Sequence, residues 1–355
     1  MFFDSPLLTR ALANASNASQ WSNQHWSLLI RQARRANLLS RVACQPFEAV
    51  PDKAQQHFIN AKTVADANAR AVRLEVAEIQ RVLSEEDISF VLLKGAAYLV
   101  AGFDFGKSRV YSDVDILVEK SKLNVAEKLF IQNGWMTTKL NAYDQKYYRE
   151  WMHELPPLRH IKRQSSLDVH HTIVPPTSVY ELDIDMLWAN CLPVESLTNV
   201  FVLSNIDMLL HSAVHLFSDG DFENGIRDLS DIACMVNEFS NVETFWIDLE
   251  KRAVELGLIE PIFYALRYAE YFLALNVSRS VMDTFQKQAG CGSIKLPVMD
   301  WLFKRGLLPN HESCTDVFST TAMFVLFVRS HYLRMPMTLL LPHLFRKALH
   351  KEEAA

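Results

Sequence analysis

Cysteine is scarce and unpatterned in this chain. Its five residues, Cys44, Cys191, Cys234, Cys291 and Cys314, are odd in number and never form C-x-x-C. That points away from a disulfide framework or a cysteine zinc ribbon and toward reduced thiols of a cytoplasmic protein. Glycine is also sparse, ten in 355 residues, and none builds a Walker loop, a G-x-S-x-G elbow or a kinase glycine loop. No apolar run approaches the roughly 18 residues of a membrane span. The longest, Thr321–Val328 and Met337–Phe345, are separated by Arg329, His331 and Arg334. They read as buried helix, with contact at a membrane surface as the lesser alternative. The opening MFFDSPLLTRALANAS has no basic segment ahead of an apolar run and does not read as a secretory signal. Charge of one sign is missing too. With 36 Lys and Arg against 41 Asp and Glu, the net charge is −5, which argues against a protein that coats nucleic acid nonspecifically but leaves room for a local basic patch.

Two motifs fail on inspection. HELPPLRH, from His153, lacks the second histidine one helical turn on and is interrupted by Pro156 and Pro157, so it is not a metalloprotease helix. DGDFENG puts Gly225 at position seven and Ser230 at position twelve, where a calcium loop needs glycine at six and glutamate at twelve.

What is present divides into three parts. Residues 1–85 form an N-terminal helical arm, with an uninterrupted run from Asp52 to Ile88 whose Val72, Val76, Ile79 and Leu83 keep helical spacing. Residues 86–180 carry short continuous apolar runs suited to buried strands, FVLL from Phe90 and VDILV from Val114. A helix over KLNVAEKLFIQNG stops at Gly134, WMTTK from Trp135 suits a strand, and a hairpin turns at Gln164-Ser165-Ser166. Residues 181–355 read as helical, with Ser204 capping one helix. The fold class is α+β: a small mixed sheet flanked by N-terminal helices and a helical C-terminal region.

The stretch SRVYSDVDILVEK sets two carboxylates, Asp113 and Asp115, on one face of an apolar strand. Like charges so close repel, and burial sharpens the conflict. A divalent cation resolves it, and hard oxygen ligands suit Mg²⁺ or Mn²⁺ shared with substrate phosphates. Asp168, flanked by Leu167 and Val169, stands on a second strand as the third carboxylate of such a site. His170 shares its face and is placed to support Asp168 or touch substrate. Upstream, LLKGAAYL offers a strand–glycine–helix turn, where Lys94 and Gly95 are placed to meet phosphate.

In this order, LLKGAAYL, SRVYSDVDILV and LDVHH resemble the polymerase-beta-type nucleotidyltransferase superfamily, and more narrowly an uncharacterised bacterial nucleotidyltransferase-like family. The downstream LLHSAVHLF and IRDLSDIACMV are similar to that family's helical segment, so the resemblance spans about Phe90 to Val236. It implies a metal-dependent enzyme moving a nucleotidyl group from an NTP to an acceptor hydroxyl or phosphate. It further implies Asp113, Asp115 and Asp168 as metal ligands and catalytic groups, with Lys94, Gly95, Arg109 and His170 on the nucleotide. The chain departs from the superfamily where Ala96 follows Gly95 in place of the usual Ser or Gly, and where the gap from Gly95 to Asp113 is longer. The acceptor stays open among protein, tRNA, small molecule and sugar intermediate. A non-catalytic nucleotide-binding or partner-recruiting module, accessory to polysaccharide biosynthesis, is the rival reading.

His211 and His215, four apart on a helix, suit the lining of a cleft, and Arg227, Asp228 and Asp231 suit a buried salt-bridge cluster. LRHIKRQ, from Leu158, carries four cationic or titratable groups and suits a solvated hairpin tip.

Overall fold

The structure is a computed structural model describing residues 6–137, 145, 148–149, 151–218 and 220–340. The end of the apolar Met337–Phe345 segment and of the WMTTK stretch lies outside the described residues. Seven strands form one mixed sheet in the order β3-β4-β5-β2-β1-β7-β6. They are β1 Phe90–Leu93, β2 Asp113–Val118, β3 Trp135–Thr137, β4 Leu158–His160, β5 Ser166–His170, β6 Leu192–Pro193 and β7 Val200–Val202.

All four residues of β1 and five of the six in β2 are buried, because these strands lie at the sheet's middle and are covered on both faces. The Asp52–Leu83 helix covers one side through Val72, Val76, Ile79, Val82 and Leu83. It also buries Glu75, which is paired with Arg163 of the hairpin tip at 2.7 Å. Arg163 lies 4.7 Å over the Trp135 ring as well, so one cation of LRHIKRQ is already engaged. The hairpin itself turns as the sequence indicates, with Gln164 left-handed at φ 61°.

Ser204 accepts a hydrogen bond from the backbone N–H of Asp207 at 3.2 Å, and the Asn205–Ser218 helix begins there. That helix, Gly225–Phe239 and Ile259–Leu273 enclose a second core, in which Phe217, Tyr264, Tyr268 and Phe303 are fully buried. Strands β6 and β7 fall in the stretch expected to be helical. Val200–Val202 extends the sheet by pairing parallel to β1. Among the described residues, no helix is long and apolar enough to cross a membrane.

Candidate active site

Register brings the acidic residues together. β2 and β5 run parallel, and Asp115 stands directly opposite Asp168 while Asp113 stands opposite Ser166. Paired residues on neighbouring strands point to the same face, about 4.8 Å apart. Asp113, Asp115 and Asp168 therefore share one face, and all three line a cavity of about 490 Å³. Lys94, Gly95 and Arg109 line it as well.

Asp115 is buried and partnered. Lys94 Nζ donates to its Oδ1 at 2.7 Å, and His170 Nε2 lies 3.1 Å from the same oxygen. Burial alone would raise the Asp115 pKa, but Lys94 and His170 outweigh it and hold the carboxyl well below its usual range. Burial would likewise lower Lys94; Asp115, with Asp113 and Glu154, outweighs that and keeps the ammonium charged.

Asp168 sits under the opposite influence. Burial and the charges of Asp115 and Glu154 push its carboxyl up to about 7. Asp113 is raised by burial and by Asp115. No cation of the protein pairs with Asp168 among the described residues. Carboxylates left in mutual conflict on one face fit a hard divalent cation, which takes oxygen ligands and lowers their pKa values. Asp113, Asp115 and Asp168 are the residues that could hold it.

The turn after β1 differs from the expectation. The left-handed residue is Lys94, at φ 46°, not Gly95. Such a conformation costs a non-glycine residue about 1–2 kcal/mol, and it swings the lysine toward Asp115. Gly95 answers a different need. A Cβ there would meet the Tyr111 ring at 2.7 Å and Arg109 Nε at 3.1 Å.

Arg109 is not free. Its guanidinium is ion-paired to Asp231, lies 3.6 Å from Asp228, and is only 10% exposed. Arg41 completes the cluster at 2.7 Å from Asp231, and Arg227 holds Asp228 at 2.8 Å. The salt-bridge cluster expected of Arg227, Asp228 and Asp231 is there, and it fastens the residues ahead of β2 to the Gly225–Phe239 helix. His215 lines the cavity, whereas His211 is buried and held neutral by that burial and by Lys94.

Sequence reasoning missed two residues. His153 and Glu154 line the cavity, and Glu154 forms a bridge to His170 on β5. Among the described residues, the three-donor set lying within 4.8 Å of one another is His153, Glu154 and His170, not the three aspartates. The adjacent His-Glu pair was the available signal; its two following prolines disqualified a helix but not a site.

The fold and cleft define an α+β protein with a carboxylate-bearing strand pair at the base of a cavity. Residues 22–274 match the model of the family described as uncharacterised nucleotidyltransferase, and the chain belongs to that family. No curated protein and no solved structure matches it.

Proposed function

We propose that the cavity transfers a nucleotidyl group from an NTP to a hydroxyl or phosphate acceptor, with Mg²⁺ or Mn²⁺ bound at Asp113, Asp115 and Asp168. The observation that carries this reading is the register of Asp115 against Asp168, with Asp113 on the same face and Lys94 at the adjoining turn. The cation would neutralise triphosphate charge and lower the acceptor's pKa when bound. Asp113 and Asp115 would hold the cation that orients the α-phosphate. Lys94, which balances Asp115 in the free protein, would be released toward the phosphates once a cation neutralised that carboxylate. Asp168 would accept the acceptor's proton through an oxygen that the cation leaves unbound. The acceptor oxygen then bonds to the α-phosphorus, the α–β anhydride breaks, and pyrophosphate leaves. Positioning and fixed charge supply most of the acceleration. Arg109, tied to Asp231, acts in this scheme by positioning the cavity wall and not by direct contact with phosphate. The reading takes the chain as a cytoplasmic bacterial enzyme.

Incubation with each α-³²P-labelled NTP, divalent cation and cell extract tests this. Transfer of label by wild type, lost in Asp113→Asn and in Asp168→Asn, is the expected result. Nucleotide binding without transfer under every condition would favour the rival, a non-catalytic binding module.

A further inference from the structure

The His153–Glu154–His170 group is separate in chemistry from the aspartates. His170 is 2% exposed, and its orientation is set by the contact of Nε2 with Asp115 at 3.1 Å. Its other nitrogen, Nδ1, is buried without a hydrogen-bond partner and points at Glu154 Oε2, 3.5 Å away. His153 Nδ1 is also buried without a hydrogen-bond partner. The two rings lie 5.1 Å apart, inclined at 27°.

Backbone contacts hold both segments in place. Glu154 bridges to His170, and the carbonyl of His153 accepts from the N–H of His171 at 2.9 Å. Two buried nitrogens without hydrogen-bond partners and a carboxylate thus belong to one group whose donor atoms lie within 4.8 Å of one another. An imidazolium at His170, salt-bridged to both carboxylates, is the competing arrangement. It leaves His153 Nδ1 unpaired and needs a hydrogen bond to Glu154 that the structure lacks.

We propose that His153, Glu154 and His170 form a zinc site whose open coordination positions face the cavity. Two imidazoles and one carboxylate are a zinc donor set, and nitrogen donors favour zinc over magnesium. Four-coordinate zinc would draw the donor atoms, now within 4.8 Å, to about 3.3 Å from one another, given metal–ligand bonds of roughly 2.0–2.2 Å. Asp115 supplies the outer carboxylate that orients a metal-bound histidine, and through it the zinc site is coupled to the aspartate face. The inference does not rest on nucleotidyl transfer and stands if no NTP is turned over.

The test is titration of the chelator-stripped full chain with Zn²⁺ alone, in competition with a chromophoric chelator. Folding is followed by circular dichroism, and Co²⁺ is then used as a spectroscopic substitute. One equivalent should bind to the folded protein. His153→Gln should weaken binding by about tenfold or more and abolish the visible Co²⁺ bands, while Asp113→Asn leaves both unchanged. If His153→Gln does not fold, Glu154→Gln gives the same reading. Absence of stoichiometric binding by folded wild type would overturn the proposal. So would wild-type affinity in the His153 or Glu154 variant, or an equal loss in Asp113→Asn, which would put the ion on the aspartates.

Discussion

On one wall of the cavity, and behind it, Arg41, Arg109 and Arg227 meet Asp228 and Asp231. On the other, Asp113, Asp115, Asp168 and Glu154 meet Lys94 and His170. Both groups are largely buried, yet they are built on opposite rules. Three guanidiniums against two carboxylates leave the first group near balance, and both of its aspartates are ion-paired. Among the ion pairs of the described residues, four carboxylates meet one ammonium and one imidazole, and the second group is in surplus. Its imbalance falls on Asp168 and Asp113, whose pKa values are raised. A buried pair that is closed serves the architecture. A buried surplus is relieved by taking up protons or by a cation from outside the chain, and carboxylates raised in this way are typical of functional sites.

Removing a carboxylate should therefore have opposite effects in the two groups. Asp231→Ala strands Arg41 and Arg109, both largely buried, and is expected to cost about 3–5 kcal/mol, read as a drop in the urea midpoint. A cost below about 1 kcal/mol would show that these guanidiniums find other partners and would dissolve the contrast.

Asp168→Asn should do the reverse in cation-free protein. The folded pKa near 7 stands above the ordinary 3.8. Between about pH 4 and pH 7 the folded state keeps a proton that the unfolded chain has released, so Asp168's contribution to stability declines as pH rises through that window. The asparagine variant should gain roughly 2–4 kcal/mol at pH 8 and little near pH 4, measured by denaturation at both pH values in chelator. A loss of stability at pH 8 would mean that Asp168 is already neutralised within the protein.

Gly95→Ala tests the seam between the groups, since the added Cβ meets the Tyr111 ring at 2.7 Å and Arg109 Nε at 3.1 Å. Overpacking there should cost about 1–3 kcal/mol. Combined with Tyr111→Ala, the double variant should cost less than the sum of the two single variants by about 0.5 kcal/mol or more. Independent, additive effects would mean that glycine is kept for a bound group and not for the ring.

Much of this was legible in the sequence, and the parts that were not have physical reasons. The apolar runs FVLL and VDILV announce strands because both faces are buried. The alternation D-V-D puts both carboxylates on one face whatever the neighbouring strands do. Val200–Val202 was hidden because its apolar run, Val200 to Leu203, leads straight into the Ser204 helix cap and has no period of its own to separate it from the helix. Leu192–Pro193 is a two-residue edge with Leu192 exposed, too short to leave a pattern. Lys94's left-handed backbone could not be read because glycine stands next to it and is the usual residue for that conformation. The adjacent His153-Glu154 pair stood in the sequence, but its link to the site did not, because His170 is sixteen residues away and is reached only by folding the intervening hairpin back.

The most direct measurement is Mn²⁺ binding followed by electron paramagnetic resonance, with and without a non-hydrolysable NTP analogue. It compares wild type with the Asp113→Asn, Asp168→Asn double variant. Both substitutions relieve a raised carboxylate, so the variant should fold at least as well as wild type. The account predicts a Mn²⁺–nucleotide complex in wild type that is lost in the double variant. Equal binding by the folded double variant would contradict it, because the surplus carboxylates would then not be what holds the cation.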